Sequence, residues 1–348
     1  MTKILAACTG GGAGDLLAAV PAIKALSRQF GTSIDVLTTS YAAPLIEGQP
    51  SVGEILTDDG VMSEKSLIEG LRARKYTHAV VFWSTPRIAK VVQAAGIPTR
   101  LGQARRLYSF RYTRRVPVRT ETGDTTSHWT DVQMDYARAL GAQPQPDDYR
   151  IDIKITPADE AEANQLLEQT VGAAPFLIFH TARGITPHAR HWPSDHFAVI
   201  GGALGAAFSA PVLLTGGRNE ELLVAHTASQ MTQTAYNLAG KTTLRGFAAL
   251  AQRALVVVAL DSGPMHIAAA AGAPTVGIFA LRTDLPQRWR PMGTRVAVIE
   301  PDYPCPRSCR KETCRTFACY AALSPGRVVA AARAIATPSV TPSPSEVA

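Results

Sequence analysis

Short apolar runs alternate with longer amphipathic segments along the first half of this chain. The spacing of the apolar positions predicts strands at residues 3–8, 33–39, 78–83 and 99–103. It predicts helices at residues 16–30, 66–76, 87–96 and 128–142. Strands that alternate with helices indicate a parallel sheet that is covered by helices on both faces.

The alternation starts again after residues 141–160, a stretch that is rich in proline and acidic residues and is typical of a linker. Strands are predicted at residues 176–181, 211–217, 235–240, 255–261 and 274–280, and helices at 158–170, 194–208, 219–231, 244–254, 263–272 and 324–336. The pattern therefore predicts two α/β domains, residues 1–155 and 156–336, of which the last helix can also pack back on the first domain. A Pro/Ser-rich tail, residues 337–348, is predicted to be disordered.

Length and composition agree with a large soluble protein. The 348 residues suit two domains of ordinary size, and 46% hydrophobic with 18% charged residues describes a globular chain. No apolar run approaches the ~20 residues that cross a bilayer. The apolar stretch before Cys8 is also too short for the core of a signal peptide, which predicts a cytoplasmic protein.

The positive charge of the chain is unevenly distributed. The formal net charge is +7, and residues 100–119 are rich in arginine. The arginines of this cluster are Arg100, Arg105, Arg106, Arg111, Arg114, Arg115 and Arg119. Such a cluster indicates an anionic partner: a nucleic acid, a phosphorylated glycolipid or an acidic membrane surface. The alternative is a basic face that is only solvated.

Four of the five cysteines crowd together near the end of the chain, at Cys305, Cys309, Cys314 and Cys319. Their spacing is compatible with a structural zinc or iron site, but it lacks the paired knuckles of most zinc motifs. Free thiols are the alternative, because disulfides are rare in a reducing compartment. Cys8 stands alone in the first predicted strand and is expected to be buried.

The loop after the first predicted strand is rich in glycine and ends in a carboxylate, Asp15. A dinucleotide fingerprint would need glycine or alanine at that position, and no Gly-Lys-Ser/Thr follows for a P-loop. Asp15 can act as a cap of the following helix. Alternatively, a carboxylate on a loop of close approach can accept a proton from a substrate hydroxyl.

Three segments of the second domain contain candidate ligand-binding residues. Thr181 ends a strand and precedes a basic loop that contains Arg183 and Arg190, and such cations before a helix suit a phosphate. Glu220 opens a helix after a Gly-Gly turn, where a carboxylate caps the helix or binds a ribose.

The strongest pattern runs from Asp261 to Thr275. Asp261 ends a buried strand, Ser262 and Gly263 form a tight turn, and His266 lies in the first turn of a helix of small residues. Backbone amides at such a helix start can bind an anion.

Together these segments resemble glycosyltransferase family 9, the ADP-heptose:lipopolysaccharide heptosyltransferases. The stretch from Asp261 to Thr275 matches D-S/T-G-x-x-H-x-A-A-x-x-G-x-P-T, and the stretch from Gly11 to Leu26 matches G-x-x-G-D-x-L-x-x-x-P-A-I-x-x-L. Residues 190–197 match (K/R)-x-W-P-x-x-x-F. The three motifs occur in the family's order and spacing, and the likeness spans nearly the whole chain.

The resemblance implies a GT-B fold, in which two Rossmann-like domains face each other across a cleft. The N-terminal domain would bind the acceptor and the C-terminal domain the nucleotide sugar. The implied activity is an inverting, metal-independent transfer of heptose from ADP-heptose to a hydroxyl of the lipopolysaccharide core. It implies no required cofactor, no nucleic-acid partner, and peripheral contact of a cytoplasmic enzyme with the inner membrane.

The resemblance also implies roles for single residues. Asp15 matches the catalytic base, and Thr181 and Arg190 match positions that bind the diphosphate, with Arg183 beside them. Glu220 matches a ribose contact and Asp261 a residue near the transferred sugar. The diphosphate site would be lined by the Ser262 and Gly263 amides and by His266. On the acceptor side we expect contacts from Gly11, Gly12, Gly14, Arg105 and Arg106.

Two departures from the family keep other interpretations open. The opening loop is almost all glycine, and the cysteine cluster also occurs in iron-containing members that modify proteins. A GT-B enzyme that uses another nucleotide sugar, or a protein or natural-product acceptor, is therefore an alternative. A non-catalytic nucleotide-sugar or nucleic-acid binding protein is a second alternative, and a dehydrogenase is disfavoured because the fingerprint fails at Asp15.

Overall fold

The computed structural model describes residues 2–182, 192–280, 285–305 and 314–336. The chain divides into two compact units. The first comprises Met1–Lys154 and the short segment Gln287–Trp289, and the second comprises Ile155–Pro286 and Arg290–Ala348. The segment Gln287–Trp289 is a departure from a simple division of the chain at its linker.

The first unit is built on a six-stranded sheet in the order β3-β2-β1-β4-β5-β6, and every strand pair is parallel. Its strands are β1 (Ile4–Cys8), β2 (Ile34–Thr38), β3 (Val52–Thr57), β4 (His78–Val81), β5 (Thr99–Gln103) and β6 (Arg114–Val116). Its helices are α1 (Ala13–Phe30), α2 (Glu64–Ala73), α3 (Pro86–Ala94) and α4 (Trp129–Arg138).

Alternate side chains of β1 enter two different cores. Ile4 and Ala6 belong to a cluster with buried residues of α1 and α4, whereas Leu5 and Ala7 belong to a cluster with residues of α2 and α3. Successive side chains of a strand point to opposite faces of the sheet, so both faces of β1 are covered. This arrangement confirms the prediction of a parallel sheet between two helical layers.

The second unit repeats this architecture with the order β12-β11-β10-β7-β8-β9, and its strand pairs are again parallel. Its strands are β7 (Leu177–His180), β8 (Val212–Thr215), β9 (Ala235–Asn237), β10 (Val257–Leu260), β11 (Thr275–Ile278) and β12 (Val296–Ile299). Its helices are α5 (Pro157–Glu168), α6 (Ser194–Phe208), α7 (Glu221–Ser229), α8 (Leu244–Gln252), α9 (Gly263–Ala270), α10 (Pro286–Trp289, which crosses into the first unit), α11 (Ala318–Ala322) and α12 (Pro325–Ile335).

The last helix, α12, packs against α6, β11 and β12 of the second unit. The sequence left open that it packs back on the first domain, but its main contacts are these. The predicted tail, residues 337–348, lies outside the described residues. Among the residues that the structure does describe, no helix has both the length and the apolar character needed to span a membrane.

Candidate functional site

The glycine loop after β1 leads directly into α1, and Asp15 is the third residue of that helix. Its Oδ2 accepts a hydrogen bond of 2.9 Å from the Gly12 amide. This contact satisfies one of the amides that a helix start leaves without a partner. Asp15 therefore does act at the helix start, as the first interpretation from the sequence proposed.

The second carboxylate oxygen of Asp15 is in a different situation. Oδ1 is buried and has no hydrogen-bond partner among the described residues. Burial raises the pKa of Asp15, and the hydrogen bonds from the backbone amides of Gly12 and of Asp15 itself lower it by less. A carboxylate with a raised pKa and one uncommitted oxygen has the properties of a general base.

Two glycines of the opening loop are required by neighbouring side chains of the protein itself. A Cβ at Gly10 would lie 1.7 Å from the Trp83 ring, and a Cβ at Gly11 would lie 2.5 Å from the Cβ of Asp15. The nearest atom to a Cβ at Gly12 is 3.9 Å away. The predicted acceptor contacts of Gly11, Gly12 and Gly14 therefore stay a prediction, since internal packing already explains Gly11.

Aromatic side chains gather beside this loop. The ring centroids of Trp83 and Trp129 are 6.1 Å apart, and those of Trp129 and Trp289 are 4.9 Å apart. The guanidinium of Arg288 lies 5.7 Å from the Trp129 ring, in the range of a cation–π contact. These residues were missed by the sequence analysis because positions 83, 129 and 289 are far apart in the chain.

Arg288 is 2% exposed. One guanidinium nitrogen, Nη2, donates a hydrogen bond of 2.6 Å to the carbonyl of Asp124, while Nε has no partner among the described residues. Burial lowers the pKa of this arginine, with an opposing effect of the Asp124 carboxylate. The Nε of Arg288 and the Nε1 of Trp129 are thus buried donors that an anionic or hydroxyl-bearing ligand could satisfy.

Some arginines of the cluster form hydrogen bonds inside the first unit. Arg119 forms two hydrogen bonds with Asp135, of 2.6 and 2.8 Å, and Arg114 donates to the carbonyl of Ala139. Arg105 and Arg106, by contrast, are exposed residues of the loop after β5. They remain the members of the cluster that are predicted to meet an acceptor.

In the second unit, Thr181 follows the carboxyl end of β7. It is buried, and its hydroxyl has no hydrogen-bond partner among the described residues. The preceding residue, His180, contacts the Thr215 hydroxyl through Nδ1 at 3.1 Å. Burial lowers the pKa of His180 despite the opposing charge of Glu220, so the ring is neutral at neutral pH.

Glu220 is found at the turn after β8. Its Oε2 accepts a hydrogen bond of 2.6 Å from the Gly217 amide, which is the capping role weighed in the sequence analysis. The contact fixes the carboxylate at the end of β8, and the ribose contact of Glu220 stays a prediction.

The segment after β10 leads into α9 without a side-chain cap. The Ser262 hydroxyl donates to the carbonyl of Leu260 at 2.9 Å and forms no cap hydrogen bond with the helix amides. The Ser262 side chain therefore does not occupy the amides at the start of α9, and these amides are candidates for binding an anion. Asp261 and His266 flank this start and are half-buried.

The predicted site residues of each unit collect at the carboxyl edge of its sheet. In the second unit, Thr181, Glu220 and Asp261 follow β7, β8 and β10, which are neighbouring strands. In the first unit, the predicted residues Asp15 and Arg105 follow β1 and β5. Trp83, which the sequence analysis did not predict, follows β4, the strand between them. Ligands of open parallel sheets bind at this edge.

Arg183 and Arg190 lie outside the described residues, and so does Cys309. Cys319 is buried in the core of the second unit, and Cys305 and Cys314 pack against that core. Within the described ranges no group of three or more His, Cys, Asp or Glu could hold a metal ion, so the zinc or iron hypothesis gains no support.

Comparisons with known proteins agree with this architecture. A family model described as glycosyltransferase family 9 (heptosyltransferase) matches residues 65–319. Lipopolysaccharide heptosyltransferase 3 of Escherichia coli is 26% identical over 298 residues, which cover 80% of this chain and 83% of that protein.

Two solved structures share the fold. The glycosyl transferase family 9 protein of Veillonella parvula has a TM-score of 0.79 at 19% identity, over 96% of this chain and 97% of that chain. The ADP-heptose LPS heptosyltransferase II of Escherichia coli has a TM-score of 0.75 at 21% identity, over 96% and 98%. The likeness confirms the predicted GT-B class, with two Rossmann-like domains.

Proposed function

The chain belongs to glycosyltransferase family 9, the heptosyltransferase family, and we propose that it transfers a heptose from ADP-heptose to a hydroxyl of a lipopolysaccharide core acceptor. The donor is proposed because a solved structure of the same fold is an ADP-heptose heptosyltransferase. The acceptor is proposed because the curated relative at 26% identity is a lipopolysaccharide heptosyltransferase.

Asp15 acts as the general base of this reaction. Its Oδ1 takes the proton of the acceptor hydroxyl while the hydroxyl oxygen attacks the anomeric carbon of the heptose. The bond from that carbon to the diphosphate oxygen breaks on the opposite face, so ADP leaves and the configuration inverts. The Gly12 amide holds Oδ2 and thereby fixes the orientation of the carboxylate.

The second unit holds the leaving group. The Thr181 hydroxyl, the amides of Ser262 and Gly263, and Arg190 bind the diphosphate, with His266 and Arg183 beside them. Glu220 accepts hydrogen bonds from the ribose, and Asp261 contacts the heptose. Donors of this kind stabilise the charge that develops on the diphosphate without a metal ion.

One observation carries this proposal. Two of the buried oxygens that lack a partner among the described residues, Asp15 Oδ1 and Thr181 Oγ1, fall on the proposed base and a proposed diphosphate ligand. An unsatisfied buried polar atom costs stability unless something binds it. A substrate hydroxyl and a phosphate oxygen are partners of the right chemistry for these two atoms.

The test is transfer by Asp15→Asn. The amide oxygen of asparagine can still accept the Gly12 hydrogen bond, but it cannot take a proton at neutral pH. We expect kcat to fall by about 10²–10⁴-fold, the usual contribution of a general base, with ADP binding unchanged. Product formation is measured by mass spectrometry with ADP-heptose and a lipopolysaccharide core acceptor.

Glu69→Gln is the matched control, because Glu69 is an exposed carboxylate of α2 in the same unit. Full transfer by Asp15→Asn would remove the proposed base. Thermal stabilisation by a UDP- or GDP-sugar but not by ADP-heptose would reject the proposed donor, since a bound ligand raises the midpoint of unfolding. Transfer to a protein or to a natural product instead would reject the proposed acceptor.

A further inference from the structure

The loop between β5 and β6, residues 104–113, displays two apolar side chains to solvent. Leu107 is 99% exposed and Phe110 is 62% exposed. Large apolar residues that stand together on a surface, with polar neighbours around them, mark sites of contact with a partner or a membrane.

The backbone of this loop is held in place. The Tyr108 hydroxyl donates to the carbonyl of Ser84 at 2.7 Å, and the Ser84 hydroxyl is 2.5 Å from that of Tyr112. The Ser109 hydroxyl donates to the carbonyl of Gln103 at 2.5 Å. Leu107 and Phe110 are therefore exposed on a loop whose neighbouring residues are held by side-chain hydrogen bonds.

The same loop contains three arginines, Arg105, Arg106 and Arg111, that form no close ion pair with a carboxylate of the described residues. Arg105 donates to the backbone carbonyl of Glu121 at 3.0 Å, and Arg111 donates to the amide oxygen of Gln93. Neither oxygen belongs to a carboxylate. Arg106 lies 3.8 Å from the Glu121 carboxylate, a distance at which an exposed pair contributes little.

A cavity of about 720 Å³ opens beside the two apolar side chains. Leu107, Tyr108 and Phe110 form part of its wall, and the Arg111 guanidinium lies 4.8 Å from the centre of the Phe110 ring. The basic lining residues are Arg87, Lys90, Arg106 and Arg111, and Glu64 also lines the cavity. Arg87 is paired with Asp58 and Lys90 with Glu64, so among the described residues Arg106 and Arg111 are the lining cations without a close carboxylate. An apolar wall with cations around it suits a phosphate group that is attached to a hydrocarbon chain.

We propose that the 104–113 loop docks the enzyme on the surface of an anionic lipid bilayer. Leu107 and Phe110 enter the interfacial layer, while Arg105, Arg106 and Arg111 meet the headgroup phosphates. Amphipathic elements bind membranes by this combination of apolar burial and attraction to anionic lipid.

Docking through this loop would bring a membrane-anchored acceptor close to Asp15, an argument that rests on the proposed function. β1 and β5 are separated only by β4, so their carboxyl ends are about 10 Å apart at the usual strand spacing. The Asp15 loop follows β1 and the docking loop follows β5. An acceptor anchored in the same bilayer would be presented beside Asp15.

The test measures binding of the full chain to vesicles by co-sedimentation. Vesicles of phosphatidylcholine alone are compared with vesicles of phosphatidylcholine and phosphatidylglycerol. We expect binding to the second kind only. We expect Leu107→Ser to weaken it about tenfold, which corresponds to the loss of one partly buried leucine. The double variant Arg105→Glu/Arg106→Glu should abolish it.

Leu222→Ser is the matched control, because Leu222 is 87% exposed on α7 of the second unit. A side chain as exposed as Leu107 has almost no internal contacts to lose, so misfolding does not obscure the result. Leu107→Trp adds a direct readout, a blue shift of tryptophan emission with anionic vesicles that Leu222→Trp should not show.

Two outcomes would overturn the proposal. They are equal binding to both kinds of vesicle and equal weakening by Leu222→Ser. Asp15→Asn should bind vesicles like the unaltered protein, so a failed catalytic proposal and a failed docking proposal give different results.

Discussion

At the scale of single residues, Asp15 combines a structural and a chemical task in its two oxygens. Its position could be predicted from the sequence, because the motif that contains it is continuous. The burial of Oδ1 could not be predicted, since it depends on packing around the loop. The same holds for Thr181, whose place at a strand end is local information but whose unsatisfied hydroxyl is not.

The raised pKa of Asp15 has a consequence for stability. The folded state binds a proton more tightly than the unfolded state does, so stability falls as pH rises from the unfolded pKa, about 4, through the folded pKa. Asp15→Asn removes this dependence. We expect the midpoint of thermal unfolding of the variant to equal or exceed that of the unaltered protein at pH 7.

The difference between the two midpoints should shrink as the pH is lowered towards 4. Calorimetry over this pH range measures the difference. A variant that is less stable at pH 7 than at pH 4, relative to the unaltered protein, would contradict a raised pKa of Asp15 in the folded state.

Gly10 gives a second prediction at this scale. An alanine there would place its methyl carbon within the Trp83 ring, so Gly10→Ala should lower the free energy of unfolding by about 1–3 kcal/mol, the usual effect of overpacking. Denaturant unfolding measures this effect. Gly70→Ala is the control, because the nearest atom to a Cβ there is a guanidinium nitrogen of Arg74 at 3.6 Å, and alanine favours the helix α2 that contains Gly70.

If the clash with Trp83 is the cause, the double variant Gly10→Ala/Trp83→Leu should be less destabilised than the sum of the two single variants. If the two losses in the free energy of unfolding simply add, the alanine destabilises the protein through the backbone of the loop and not through the Trp83 ring.

At the scale of elements, the start of α9 has a serine, Ser262, whose hydroxyl does not cap the helix. The Ser262 hydroxyl donates to the Leu260 carbonyl and forms no cap, so in the proposed site the helix amides, and not this hydroxyl, would bind the diphosphate. Ser262→Ala should bind ADP within about twofold of the unaltered protein. Ser262→Asp should raise the Kd about tenfold, because a carboxylate cap occupies and repels at the same amides.

Isothermal calorimetry with ADP measures both variants. A large loss of affinity in Ser262→Ala would mean that the hydroxyl itself binds the diphosphate. Unchanged affinity in Ser262→Asp would mean that the nucleotide binds elsewhere on the second unit.

At the scale of the whole molecule, the sequence predicted the interior of both sheets and missed much of their edges. The strands that were not predicted are β3, β6 and β12, and all three are edge strands. A central strand is apolar on both faces, as the buried residues of β1 and β10 show. The edge strand β3 is half-exposed and has no continuous apolar run, so its pattern resembles that of a loop.

The segment Gln287–Trp289 is the feature of the whole molecule that no local pattern could reveal. Its tryptophan and arginine pack on Trp129, a residue that precedes them by more than a hundred positions. Only the fold brings these residues together, which is why the aromatic group beside the glycine loop was absent from the predicted site.

This segment also sets an order of events during synthesis. A ribosome that adds about 5–20 residues per second needs roughly 10 s to pass from Lys154 to Gln287. During that interval the nascent first unit can form its sheet, but the ring of Trp129 is not yet covered by Trp289. The last contacts of the N-terminal half are therefore made only when most of the C-terminal half has left the ribosome.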